Sequence, residues 1–64
     1  MAWTIVLSNR AEKNLKRLPG ADRARVLSAL EEMRTDPLKG DVVKLKGQEG
    51  FRRRVGNYRI IFLI

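Results

Sequence analysis

A chain of 64 residues is read as a single small domain spanning residues 1–64, and a domain of that size buries only about 60% of the surface its unfolded form exposes. It has neither Cys nor His, which excludes disulfide staples, Ser-His-Asp and Cys-His nucleophilic sites and a zinc centre of the usual ligands. Lys and Arg number 14 against 7 Asp and Glu, a formal charge of +7 with pI about 10.9, which fits a nucleic-acid binder or a surface made for an acidic partner.

Met1-Ala2-Trp3 has no basic stretch and no apolar core, so no secretory leader is expected. Residues 3–7 then read as a first strand, with Trp3, Ile5 and Leu7 on one face. Ser8 or Asn9 suits the cap of a helix, whose apolar stripe is Ala11, Leu15 and Leu18. Pro19-Gly20 ends it. A second helix is expected from Ala21 or Asp22, burying Val26, Leu27, Leu30 and Met33. It should stop before Asp36-Pro37, because Pro disfavours helix at the preceding residue. Residues 38–41 are a loop, and 42–46 a short strand closed by Gly47. The longest apolar run, residues 60–64, is too short to span a bilayer, and as an uncovered strand it forms an apolar edge open to another chain.

Residues 51–62 carry the clearest pattern. Gly56-Asn57 between two β-rich runs predicts a two-residue turn, with the positive φ of a type II′ turn at Gly56. That turn sets Val55 opposite Tyr58, Arg54 opposite Arg59, Arg53 opposite Ile60, Arg52 opposite Ile61 and Phe51 opposite Phe62. With alternating faces, Phe51, Val55, Tyr58, Ile60, Phe62 and Arg53 share the core side, and Arg52, Arg54 and Arg59 share the other. Like charges facing each other repel, so Arg54 and Arg59 predict a polyanion between them. The expected fold class is α+β, in the order β-α-α-β-β-β, with two N-terminal helices packed on an antiparallel sheet.

The chemistry available is cationic. If the strand over 42–46 stacks in register, Lys44 and Lys46 join Arg52, Arg54 and Arg59 in one five-cation patch. Arg binds phosphate in a bidentate fork and stabilises charge building on a phosphoryl group. RNA supplies its own nucleophile, the 2′-hydroxyl, so orienting the backbone and neutralising charge promotes cleavage. Arg is too basic to accept a proton, whereas a Lys among cations is a candidate base. Tyr58 is the obvious acid, but its register points it into the core. The bland alternative is a solvated sheet face, with Lys guarding a strand edge. Trp3 and Phe51 are able to stack on bases, although the core is their expected place. The carboxylates Asp22, Glu31, Glu32, Asp36, Asp41 and Glu49 read as solvated charges. No metal or cofactor is expected.

Taken together, Ala11, Leu15-x-x-Leu18, the helix ending at Asp36-Pro37, Lys44-Leu45-Lys46-Gly47 and Phe51-Arg52-x-Arg54-Val55-Gly56-Asn57-Tyr58-Arg59-Ile60-Ile61-Phe62 resemble the RelE/ParE toxin superfamily of bacterial type II toxin–antitoxin modules. The likeness runs over essentially the whole chain and is closer to the RelE branch. It implies a RelE-like fold and a ribosome-dependent mRNA endoribonuclease acting in the A site of the cytoplasmic ribosome, silenced by a cognate antitoxin. By this resemblance Arg52, Arg54 and Arg59 bind mRNA with Lys44 and Lys46, and Arg54, Arg59 and Lys46 act in cleavage. The family continues past the point matching Ile64 with another strand, a further Arg and a Tyr or His. The chain therefore reads as truncated, lacking the last strand of the family, and self-association through its terminal strand, exchange of strands between copies, or completion of the sheet by an antitoxin segment is expected. The alternatives are a non-catalytic toxin that still binds antitoxin, a ParE-like gyrase inhibitor, and a helix-turn-helix using Leu18-Pro19-Gly20-Ala21 as its turn, against which Glu31 and Glu32 weigh.

Overall fold

The computed structural model describes residues 3–64; the reading of Met1-Ala2 as lacking a leader lies outside them. The chain forms α1 (Asn9–Arg17), α2 (Gly20–Thr35), β1 (Val42–Lys44), β2 (Phe51–Val55) and β3 (Tyr58–Phe62). The strands make one antiparallel sheet in the order β1-β2-β3. α1 packs on α2, and α2 packs on β2. This is the expected α+β arrangement of two helices on an antiparallel sheet.

α1 starts where Ser8, in extended backbone, accepts from the Ala11 N–H at 3.1 Å, satisfying one of the free donors of the first turn. At its other end Arg23 closes the corner between the helices. Its guanidinium donates to the carbonyls of Leu15, Lys16 and Leu18 at 3.2, 3.1 and 2.9 Å. A cation there also meets the negative end of the α1 dipole. α2 begins at Gly20, one residue before the expected start, with Pro19 as its cap. It stops at Thr35, before Asp36-Pro37 as expected, and the Asp36 carboxylate accepts from the Leu38 N–H at 3.1 Å.

The buried face of α2 is Val26, Ala29 and Met33. Leu30 is half-buried and Leu27 is 48% exposed, which corrects the place given to Leu27. Val26, Ala29 and Met33 stand three and four apart on one stripe, whereas Leu27 is turned a further 100° or so from Val26. Ala29 replaces it because a small side chain lets the helix approach the sheet.

Residues 3–7 form no strand. Their backbone is tied to α2 by the Trp3 N–H, which donates to the Arg34 carbonyl at 2.6 Å. A strand needs a neighbouring ladder, and the nearest open sheet edge, β3, lies across a groove from Leu7. The alternation survives in burial: Ile5 and Leu7 are half-buried, and Val6 is 86% exposed. Trp3 is 48% exposed, outside the core expected for it.

The hairpin has the predicted register throughout, and Phe51 stacks on Phe62 with ring centroids 5.6 Å apart. Gly56 has φ +58°, and among the described residues no non-glycine has positive φ, so Asn57 is negative and the turn has the φ signs of type II′. Gly50, at φ +113°, is also confined to glycine, because a Cβ there would stand 3.0 Å from the Phe62 carbonyl oxygen.

Candidate nucleic-acid interface

The face of the sheet turned from the helices is set by the hairpin register. Arg54 stands opposite Arg59, and Arg52 opposite Ile61. Arg54 and Arg59 are exposed and Arg52 is half-buried. Val43, the partner of Arg52 on β1, belongs to the same face. The surface is thus three guanidiniums interleaved with Val43 and Ile61, which are 48% and 60% exposed.

The five-cation patch does not form. Lys44 pairs with Phe51, so it points to the helix-facing side of the sheet, at its rim, and is exposed there. Lys46 lies beyond the end of β1, which stops at Lys44 and not at residue 46. The cause is register: Val42 opposes Arg53, so the alternation of β1 puts Val43 with the arginines. After Lys44 the chain leaves the strand, and the Leu45 N–H donates to the Gly50 carbonyl at 3.0 Å.

Asp41, read as a solvated carboxylate, belongs to the site. Its Oδ2 accepts from Arg54 Nε at 3.1 Å, and its carbonyl accepts from the Arg54 N–H at 3.0 Å. Both side chains are more than half exposed, so the pair stabilises by about 0.2–1 kcal/mol. It holds the guanidinium by Nε and leaves the two terminal nitrogens as a free fork, the end that grips phosphate. The β1–β2 register carries this signal, since extending it by one residue sets Asp41 beside Arg54.

Two more carboxylates are engaged on the helix side. Arg53 is buried at 8% exposure and donates to Glu32 Oε2 at 3.1 Å and to the Lys39 carbonyl at 3.4 Å. Its core-side face was legible in the alternation of the hairpin, and its partner there is Glu32 of α2. Gly40 lies against it, since a Cβ there would sit 3.4 Å from the guanidinium. Tyr58 donates its hydroxyl to Asp22 Oδ2 at 2.8 Å. That bond, with smaller contributions from burial and the Asp22 charge, raises the Tyr58 pKa above its ordinary 10.0. Tyr58 is therefore turned from the arginine face and kept protonated, as an anchor of β3 to α2.

Arg25 of α2 is a residue that the sequence analysis did not assign to the site. A Cβ at Gly56 would meet its guanidinium at 3.4 Å, so it reaches over the hairpin turn. With Arg54 it borders a shallow hollow of about 340 Å³. Among the described residues, no group of three or more carboxylates is placed to hold a metal ion. No helix there is long and apolar enough to cross a membrane.

The fold and site define a small basic α+β domain that presents arginines from one face of a sheet, with α2 packed on the other face and α1 packed on α2. The sequence profile described as the ParE toxin of the type II toxin–antitoxin system parDE matches residues 5–64, so the chain belongs to that toxin family, within the RelE/ParE superfamily. A toxin of this kind is paired with an antitoxin. Two relatives come from Methanocaldococcus jannaschii. One, named toxin RelE3, is 43% identical over 61 residues, covering 88% of this chain and 69% of that protein. Another, bearing the name RelE1, is 29% identical over 68 residues, covering all of this chain and 76% of that protein. No solved structure matches the chain significantly.

Proposed function

We propose that this toxin is an mRNA endoribonuclease of the RelE type, acting in the ribosomal A site and held silent by its antitoxin. The observation that carries this is the direct opposition of Arg54 and Arg59 on the exposed face. Two facing cations weaken a sheet unless an anion lies between them, and a message backbone supplies one. Arg54, oriented by Asp41, grips a phosphate. Arg59 stabilises the charge that develops as the 2′-oxygen attacks the adjacent phosphorus and the bond from phosphorus to the 5′-oxygen breaks, leaving a 2′,3′-cyclic phosphate and a 5′-hydroxyl that takes its proton from solvent. Arg52 and the apolar Val43 and Ile61 line the path of the strand, and Lys44 and Lys46 add attraction from the rim. Lys46, in the loop after β1, remains the candidate proton acceptor. The relative named toxin RelE3 supports the RelE reading.

The test is primer extension on mRNA from a translating extract given the purified chain. Cleavage in the A-site codon, lost in Arg59→Ala, is expected. Intact mRNA together with blocked DNA supercoiling would replace this reading by gyrase inhibition, the second reading, which the ParE description of the matching profile favours.

A further inference from the structure

We infer that the hollow between α2 and the turn end of β2 is a second phosphate site, which takes the RNA phosphate next to the one gripped by Arg54 and carries the arginine face around the flank of the sheet. This rests on the reading of that face as an RNA interface. β1 begins at Val42, opposite Arg53, and before it only the Asp41 carbonyl reaches β2, at the Arg54 N–H. Val55 and Gly56 therefore have no β1 neighbour, and a space of about 340 Å³ opens beside them. Arg25, Ser28, Ala29 and Glu32 of α2 line its other side. They stand three and four apart, on one flank of the helix next to its buried stripe.

Three guanidiniums stand here, and two are matched. Arg53 donates to Glu32 and Arg54 to Asp41, each at 3.1 Å. Arg25 pairs with no carboxylate among the described residues. Asp22, one turn before it on α2, is taken by the Tyr58 hydroxyl. The unmatched cation lies against the hairpin turn, with its Nη1 3.4 Å from where a Cβ at Gly56 would be. The Gly56 N–H joins it. In a two-residue turn the Val55 carbonyl accepts from the Tyr58 N–H, and a trans peptide turns its own N–H the opposite way. The Gly56 N–H is thus directed away from β3, to the side that β1 leaves open.

Arg25, Arg54, the Ser28 hydroxyl and this N–H are donors for an anion with several acceptor oxygens, and a phosphodiester is one. An acidic protein segment would need an apolar seat beside its charge, and only Ala29 and Val55 supply apolar side chains here. Arg54 and Gly56 are two residues apart, about 7 Å of extended backbone, comparable to one step of a stretched single strand. A phosphate held there fixes the register of the message, so Arg25 is a positioning residue.

The test is binding of a short single-stranded RNA, 2′-O-methylated so that it is not cut, to the purified chain. Affinity is read by fluorescence anisotropy across a salt series, and contact by the backbone amide signal of Gly56. Arg25→Gln should weaken binding about three- to tenfold at low salt and reduce the slope of log K against log salt by about 0.7, while Arg25→Lys keeps the slope. Ser28→Asp places an anion in the hollow and should weaken binding at least as much, a second reading with Arg25 intact. The Gly56 amide should move on addition of RNA to the wild-type chain and stay still in Ser28→Asp. A full slope in Arg25→Gln with a still Gly56 amide, beside reduced slopes in Arg54→Ala and Arg59→Ala, would overturn the inference and leave the arginine face standing. Full slopes in all three variants would overturn both. Polyglutamate that moves the Gly56 amide at lower concentration than the RNA would overturn the inference by assigning the hollow to an acidic protein.

Discussion

Arg53 and Arg54 are neighbours in sequence with opposite tasks. Arg53 is buried against Glu32 and the Lys39 carbonyl, and its removal deletes a charge-assisted bond and the packed stem. Arg53→Ala should lower stability by about 1–3 kcal/mol in chemical denaturation. Arg54→Ala loses an exposed pair with Asp41 but relieves the repulsion from Arg59. Its stability should change by less than about 0.5 kcal/mol, while its affinity for RNA falls. An Arg54→Ala protein that unfolds easily but binds RNA normally would make Arg54 structural. Tyr58 adds a dependence on pH. Its folded pKa is raised, so the stabilisation from its bond to Asp22 is fully present below pH 10 and is lost as pH rises through the folded value. Tyr58→Phe should therefore remove part of the stability loss above pH 10, and phenolate absorbance of the native protein should titrate above that of the unfolded chain.

At the level of elements, α1 depends on its two ends, since it contains no buried residue. A nine-residue helix is marginal by itself. Ser8 holds its start, and Arg23 binds three carbonyls at its end. Ser8→Ala should cost about 1 kcal/mol. Arg23→Ala should cost about 1–2 kcal/mol and speed amide exchange in α1 well before α2 or the sheet. Uniform acceleration across the molecule would show that the corner is no separate unit. The hairpin is fixed differently, by the positive φ of Gly56, the Phe51–Phe62 stack and the Tyr58 anchor.

Across the whole molecule, arginines line two neighbouring surfaces, the exposed face of the sheet and the groove beside β3, with Arg59 on both. If the sheet face carries single-stranded RNA, affinity should fall with salt in proportion to the phosphates neutralised. Arg54→Ala or Arg59→Ala should each reduce the slope of log K against log salt by about 0.7. Arg10→Ala, on the groove, should leave that slope nearly unchanged. A reduction of the same size for Arg10 would mean that RNA also runs over α1.

The hairpin and its register, the caps near Ser8 and Asp36-Pro37, and the sorting of Arg52, Arg54 and Arg59 onto one face were determined by the sequence, because each depends on contacts a few residues apart. The likeness to the toxin superfamily was also legible there, in the run from Phe51 to Phe62. Tertiary structure decided what depends on distant partners. Residues 3–7 have strand-like alternation but no ladder to join, so they stay extended without pairing. Lys44 fell on the other face because β1 pairs by Val42 with Arg53, a register that no local turn fixes. Asp41, Glu32 and Asp22 became partners of Arg54, Arg53 and Tyr58 across separations of 13, 21 and 36 residues. Alternation assigns a side chain to a face, and only the packing of one element on another decides which group it meets there.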